Sequence, residues 1–94
     1  MTARIILPRS LAEHAEGLRE FDVDSANGAT LAEVIQQVSA RYPALGRRVV
    51  DETGSLRQFV NVYVGVEECR RLQGLATPIP AGAQIHIIGS IAGG

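Results

Sequence analysis

The chain has 94 residues, of which 46% are hydrophobic and 20% charged, with a formal net charge of -1. That length suits one small domain with a single core and leaves no room for a deep enclosed catalytic cavity beside it. The near-neutral charge argues against a nucleic-acid partner held through phosphates. No stretch approaches the roughly 20 apolar residues of a membrane helix.

In chain order, Ala3 to Leu7 is short, apolar and stopped by Pro8, which predicts a first strand. Its alternation turns Ala3, Ile5 and Leu7 to one face, and Arg4 and Ile6 to the other. A polar stretch with Gly17 follows. Arg19 to Asp24 alternates with Phe21 and Val23 on one face, predicting a second strand antiparallel to the first. Asn27-Gly28 marks a turn.

Thr30 opens the clearest helix. Thr30 and Glu33 have capping-box spacing, and Leu31, Val34, Ile35, Val38 and Tyr42 form one apolar stripe. Pro43 ends the helix, because a proline pushes the preceding residue out of helical geometry. Ala44 to Gln58 has a mixed pattern, a short helical turn followed by loop. Phe59 to Val64 is the strongest strand; Gly65 is a turn and Val66 to Arg71 a short edge strand. Gly74 to Gly82, with two glycines and two prolines, reads as loop, and Gln84 to Ile88 as the last strand. An amphipathic helix needs a sheet with one apolar face. The simplest assembly is an α+β β-grasp, or ubiquitin-like, fold: a mixed sheet of four to five strands on one main helix, with the last strand central and parallel to the first. The domain is expected over residues 1–89, and residues 90–94 as a flexible tail ending in Gly93-Gly94.

The strand Phe59 to Val64, the loop Gly74 to Gly82 and the ending Ile91-Ala92-Gly93-Gly94 together resemble the MoaD/ThiS family of sulfur carriers, most of all its CysO type. The resemblance implies a protein co-substrate, not an enzyme, with no bound cofactor. A ubiquitin-activating-like enzyme would use ATP to adenylate the carboxylate of Gly94. Sulfur would then displace AMP to leave a thiocarboxylate, and a second, sulfur-accepting biosynthetic enzyme would consume it. The CysO likeness favours cysteine biosynthesis; molybdopterin, thiamin or a sulfur-containing secondary metabolite are the other destinations. Two further readings stay open: a ubiquitin-like modifier conjugated through Gly94, and a plain β-grasp interaction domain. The N-terminus lacks the longer apolar region and small-residue cleavage site of a signal peptide, so a cytoplasmic location is expected, with a monomer when free and, from the charge and the apolar runs above, no nucleic-acid or membrane partner.

This chemistry suits the residues present. Glycine has no side chain to collide and reaches backbone shapes closed to other residues, so Gly93 and Gly94 can enter a narrow channel. Ser90, Ile91 and Ala92 would line the extended tail, whose reach from Gly89 is roughly 20 Å at about 3.3–3.6 Å per residue. A docking patch is expected on the outer sheet face, at Ile6, Phe59, Tyr63, His86 and Ile88, with Ile6, Phe59 and Ile88 clustered at the tail root.

The remaining reactive-looking residues carry no signature. The single cysteine, Cys69, reads as an edge-strand residue with no activating base nearby. His14 and His86 have no metal-ligand spacing with each other or with Cys69, so no metal is expected. Arg47-Arg48 and Arg70-Arg71 read as solvated pairs able to assist docking to an acidic partner.

Overall fold

A computed structural model describes residues 1–26 and 28–89. Strand β1 spans Thr2–Ile6 and β2 spans Glu20–Asp24. They pair antiparallel, Ile5 opposite Phe21 and Ala3 opposite Val23. These four residues are buried, so the period-two pattern of the sequence is the burial pattern of the sheet. On the opposite face, Arg4 donates to Asp22 at 3.1 Å and Glu20 at 3.3 Å.

The polar stretch between them contains an element not expected from sequence. Helix α1, Arg9–Ala12, continues into a 3-10 turn, Glu13–Ala15. Leu11, Ala12 and Ala15 are buried. A four-residue helix cannot hold itself in water; here tertiary burial of these three residues supports it.

The short strand β3, Ala29–Thr30, leads into α2, Leu31–Arg41. The capping box is formed: Glu33 donates its amide to Thr30 Oγ1 at 3.3 Å, and Thr30 donates its amide to Glu33 Oε1 at 3.4 Å. The whole apolar stripe of α2, including Tyr42, is buried. At the far end, Arg41 stacks over the rings of Phe21 and Tyr42 and donates to the Asp22 carbonyl at 2.7 Å. This ties the helix end to β2.

Pro43 ends α2 as expected, and it also starts α3, Pro43–Val49. The expected single helical turn is therefore a seven-residue helix. Proline suits a first helical position, where its missing amide costs nothing. Leu45 and Val49, four residues apart, are fully buried. Gly46 is buried too, and lets α3 approach α2 beside Ser39.

Strand β4, Val60–Val64, turns at Gly65 into β5. The expected edge strand is only Glu67–Glu68. The Glu68 carboxylate accepts from the Arg70 amide at 3.2 Å and starts a 3-10 turn over Cys69–Arg71. The Gly74 to Gly82 segment is not all loop. It holds a 3-10 turn, Gly74–Ala76, and β6, Pro78–Ile79, which pairs with β3. Ile79 is fully buried. Thr77 is nearly so, and its hydroxyl donates to the Gly74 carbonyl at 2.7 Å while accepting from the Gln73 amide at 3.1 Å.

The last strand, β7, spans Gln84–Gly89. The five-stranded sheet has the order β2-β1-β7-β4-β5, with β1 and β7 parallel. This is the α+β β-grasp fold. The inner faces of β1, β7 and β4 present Ile5, Ile85, Ile87 and Val62, all fully buried in one core with the stripe of α2.

Candidate functional site

Strand register decides which outer-face residues meet. His86 on β7 lies opposite Ile6 on β1 and opposite Tyr63 on β4. These three make one row across the middle of the sheet, each half-buried. In the next row Ile88 lies opposite Asn61. Ile88 is thus a diagonal neighbour of Ile6, whereas Phe59 lies in the turn that leads into β4, one residue before the strand, where register does not place it. Diagonal pairs of this kind are within reach of long and aromatic side chains. Phe59 and Ile88 are 59% and 44% exposed at this end of the sheet.

Arg70 belongs beside this patch, a placement the sequence reading missed. Its guanidinium donates to Asn61 Oδ1 at 3.1 Å and to the Arg57 carbonyl at 2.9 Å, and lies 3.6 Å from Glu68. The cation is therefore fixed at the level of Ile88, not solvated freely. The signal was spread over residues 57, 61, 68 and 70, which no local pattern links.

At the end of the sheet, where β7 reaches Gly89, a groove of about 560 Å³ opens. Leu11, Leu56 and Phe59 supply its apolar lining, and Arg48 and Arg57 its cationic lining; His14 and Gly89 are part of it. Asp51 is also present, but its Oδ1 already accepts from the Thr53 hydroxyl, the Thr53 amide and the Ser55 amide at 2.6–3.1 Å. These bonds, led by the Thr53 hydroxyl, hold its carboxyl below the usual range. Arg57 is oriented by donating to the Arg47 carbonyl at 2.7 Å.

Cys69 is not an edge-strand residue as expected. It opens the 3-10 turn after β5 and is fully buried. Burial pushes its thiol up to about 11, assisted by the hydrogen bond to Glu68. A thiol so placed is neither exposed nor ionised near neutral pH, so it is no nucleophile. Among the described residues no group of three or more His, Cys, Asp or Glu could hold a metal ion, and no helix is long and apolar enough to cross a membrane.

Ser90, Ile91, Ala92, Gly93 and Gly94, expected to form the loading tail, lie outside the described residues, as does Asn27 of the expected turn. The described fold ends at Gly89, which lines this groove.

The ThiS family model matches residues 5–94. The chain belongs to the ThiS family. It is 36% identical to the sulfur carrier protein CysO of Mycobacterium tuberculosis, an alignment covering all of both chains. The crystal structure of M. tuberculosis CysO superposes with a TM-score of 0.80 at 34% identity, covering 95% of this chain and 99% of that one. A structure described as the Amycolatopsis orientalis BexX/CysO complex matches at TM-score 0.81 and 30% identity, covering 98% and 99%. The crystal structure of SAMP1 from Haloferax volcanii matches at TM-score 0.84 and 26% identity over the whole of both chains.

Proposed function

We propose that this ThiS-family chain is a sulfur carrier, a protein co-substrate that brings sulfur to a biosynthetic enzyme as a thiocarboxylate on Gly94. The observation that carries this reading is the 36% identity over full length to a protein named as a sulfur carrier. A carboxylate is a poor electrophile. The Gly94 carboxylate attacks the α-phosphorus of ATP on an activating enzyme, pyrophosphate leaves, and the acyl-adenylate forms. A sulfur nucleophile supplied by the activating system then displaces AMP, and the sulfur stays on the carbonyl carbon. The β-grasp domain contributes no reacting group. It supplies address and reach, with the outer-face patch of Phe59, Ile88, Tyr63, His86 and Ile6 meeting the partner enzymes while Gly93 gives the carboxylate clearance. Cysteine biosynthesis is the favoured destination, by likeness to CysO; the existence of a BexX/CysO complex supports an enzyme partner in general.

Intact-protein mass spectrometry tests the reading. Incubation with the activating enzyme, ATP and a sulfur source should exchange one oxygen for one sulfur, and removal of Gly94 should abolish the exchange without unfolding the domain. An unchanged mass with a competent activating enzyme overturns it. Phe59→Asp should lower loading at least about tenfold, equivalent to about 1.4 kcal/mol of docking energy. Normal loading of that variant would remove Phe59 from the patch.

A second reading has its own support. The chain is 30% identical over 66 residues to small archaeal modifier protein 3 of H. volcanii, covering 70% of this chain. Under that reading Gly94 forms isopeptide bonds with lysines of other proteins. The nine basic residues here are all arginine, so no chain linked through its own lysines can form. Lysine adducts on target proteins, found by the same mass analysis, would favour the modifier.

A further inference from the structure

The groove at the tail root is bordered by cationic charge of which the fold uses only part, Arg57 donating to the Arg47 carbonyl and lying near Asp51. A second hollow continues from it past Arg47, sharing His14, Arg48 and Arg57. Arg47 and Arg48 sit exposed in the last turn of α3. Among the described residues neither has a carboxylate within ion-pair distance. The carboxylate that lines the groove, Asp51, accepts from Thr53 and Ser55 through Oδ1 and also feels the charge of Arg57, and Glu13 lies 3.5 Å from His14 at the rim, which leaves Arg47 and Arg48 as the cations without a carboxylate partner. Beside these unpartnered cations stands Phe59, 59% exposed, with Leu11 and Leu56 behind it. Gly89, the last described residue, lines the same groove, so a protein that takes hold of the chain close to Gly89 would face this surface.

We propose that the groove seats an acidic segment of a partner protein, one that places an apolar side chain against Phe59, Leu11 and Leu56 and carboxylates against Arg47, Arg48 and Arg57. The partner's identity rests on the carrier reading: it is the protein that receives Gly94. Charge complementarity selects the occupant. Exposed arginines meeting carboxylates bidentately give directional recognition, and charges at an interface rim steer encounter and set register. The surface adjoins the outer-face patch and shares Phe59 with it. The patch reads apolar contact across β1, β7 and β4, whereas the groove reads charge beside α3, and Phe59 stands at the junction of the two.

Two measurements test this. In the first, full-length protein labelled with nitrogen-15 is titrated with a hexapeptide of four glutamates flanking a Leu-Phe pair. Dose-dependent amide shifts should appear at Leu11, Leu56 and Phe59. They should weaken as salt rises, and vanish in the folded double variant Arg47→Glu/Arg48→Glu. No shifts, equal shifts from the glutamine version of the peptide, or the same shifts from inorganic phosphate alone would overturn the proposal. In the second, the double variant is loaded by the activating enzyme with ATP and sulfide. Apparent KM for the carrier should rise about tenfold or more, with kcat kept and the salt dependence flattened. An unchanged KM and salt slope would exclude the activating enzyme as the partner that reads the groove. Failure of the wild-type chain to load at all would sink the carrier reading, while the peptide titration would still decide whether the groove takes an acidic segment.

Discussion

Gly46 is where a single methyl group should be most disruptive for its size. It lies in α3 with α2 directly beside it. A Cβ on residue 46 would stand 2.7 Å from Ser39 Cβ and 2.9 Å from Ser39 Cα, and would also meet Ser39 Oγ. Ordinary carbon contacts are about 3.5–4.0 Å. The hydroxyl can rotate away, but the Cα and Cβ of Ser39 move only with α2. The helices must therefore separate by about 1 Å over the buried Leu45, Val49 and Val38. Overpacking of this kind costs about 1–3 kcal/mol. Alanine recovers about 0.8–1.0 kcal/mol through its better helix propensity. The net expectation for Gly46→Ala is a loss of about 1 kcal/mol, which lowers the melting temperature by about 4–8 °C in a domain of this size. Propensity alone predicts a rise instead, so the sign decides. Thermal unfolding by circular dichroism gives the answer, and Ser39→Gly should cost less in the alanine background than in the wild type. A melting point at or above the wild-type value would refute the close helix approach. Because α3 carries Arg47 and Arg48, the same variant should also disturb the groove.

Thr30→Ala removes the hydroxyl that accepts from the Glu33 amide, while the residue-30 amide can still donate to Glu33, and should cost about 1 kcal/mol by urea unfolding. Cys69 should resist thiol reagents in the native state near pH 7 and react at the rate of unfolding, which a time course with and without denaturant would read. Its raised folded-state value also gives a pH slope. The unfolded thiol ionises near 9.0 and the folded one near 11. The contribution is therefore complete below about pH 9 and lost as pH rises from there through 11, by up to about 2–3 kcal/mol at 1.36 kcal/mol per unit. Cys69→Ala should lack that slope in alkaline denaturation. Asp51, held low by its turn, has the opposite sign: its contribution is present above the ordinary carboxylate range and falls away in acid. Asp51→Asn should flatten the acid limb of the stability curve.

The sheet and main helix were legible because their signals are local. Alternation in 3–7, 19–24 and 59–64, and the stripe from Leu31 to Tyr42, each fall within one element, and tertiary packing agreed with them. The elements that were missed share the opposite property. Helix α1 is too short to declare itself and is held only by burying Leu11, Ala12 and Ala15. Strand β6 is two residues long and includes a proline; it pairs with β3 some 50 positions earlier in the chain. Cys69 was misplaced because a glutamate carboxylate, not the strand pattern, decides where β5 stops. The outer-face row of Ile6, His86 and Tyr63 was legible once the fold was assumed, since parity alone puts them on one face. The groove was not: its apolar and basic linings come from α1, α3 and the loop before β4.

The position of β7 has a consequence for how the molecule is made. The sheet's central strand is supplied by the last described stretch of chain. Until Gln84 to Gly89 exist, β1 and β4 have no partner for their facing edges, and Ile5 and Val62 have no Ile85 or Ile87 to pack with. A nascent chain cannot close its core early and finish its end later. Any molecule that has folded this sheet has been synthesised at least through Gly89, so the fold itself serves as an assembly check on the chain.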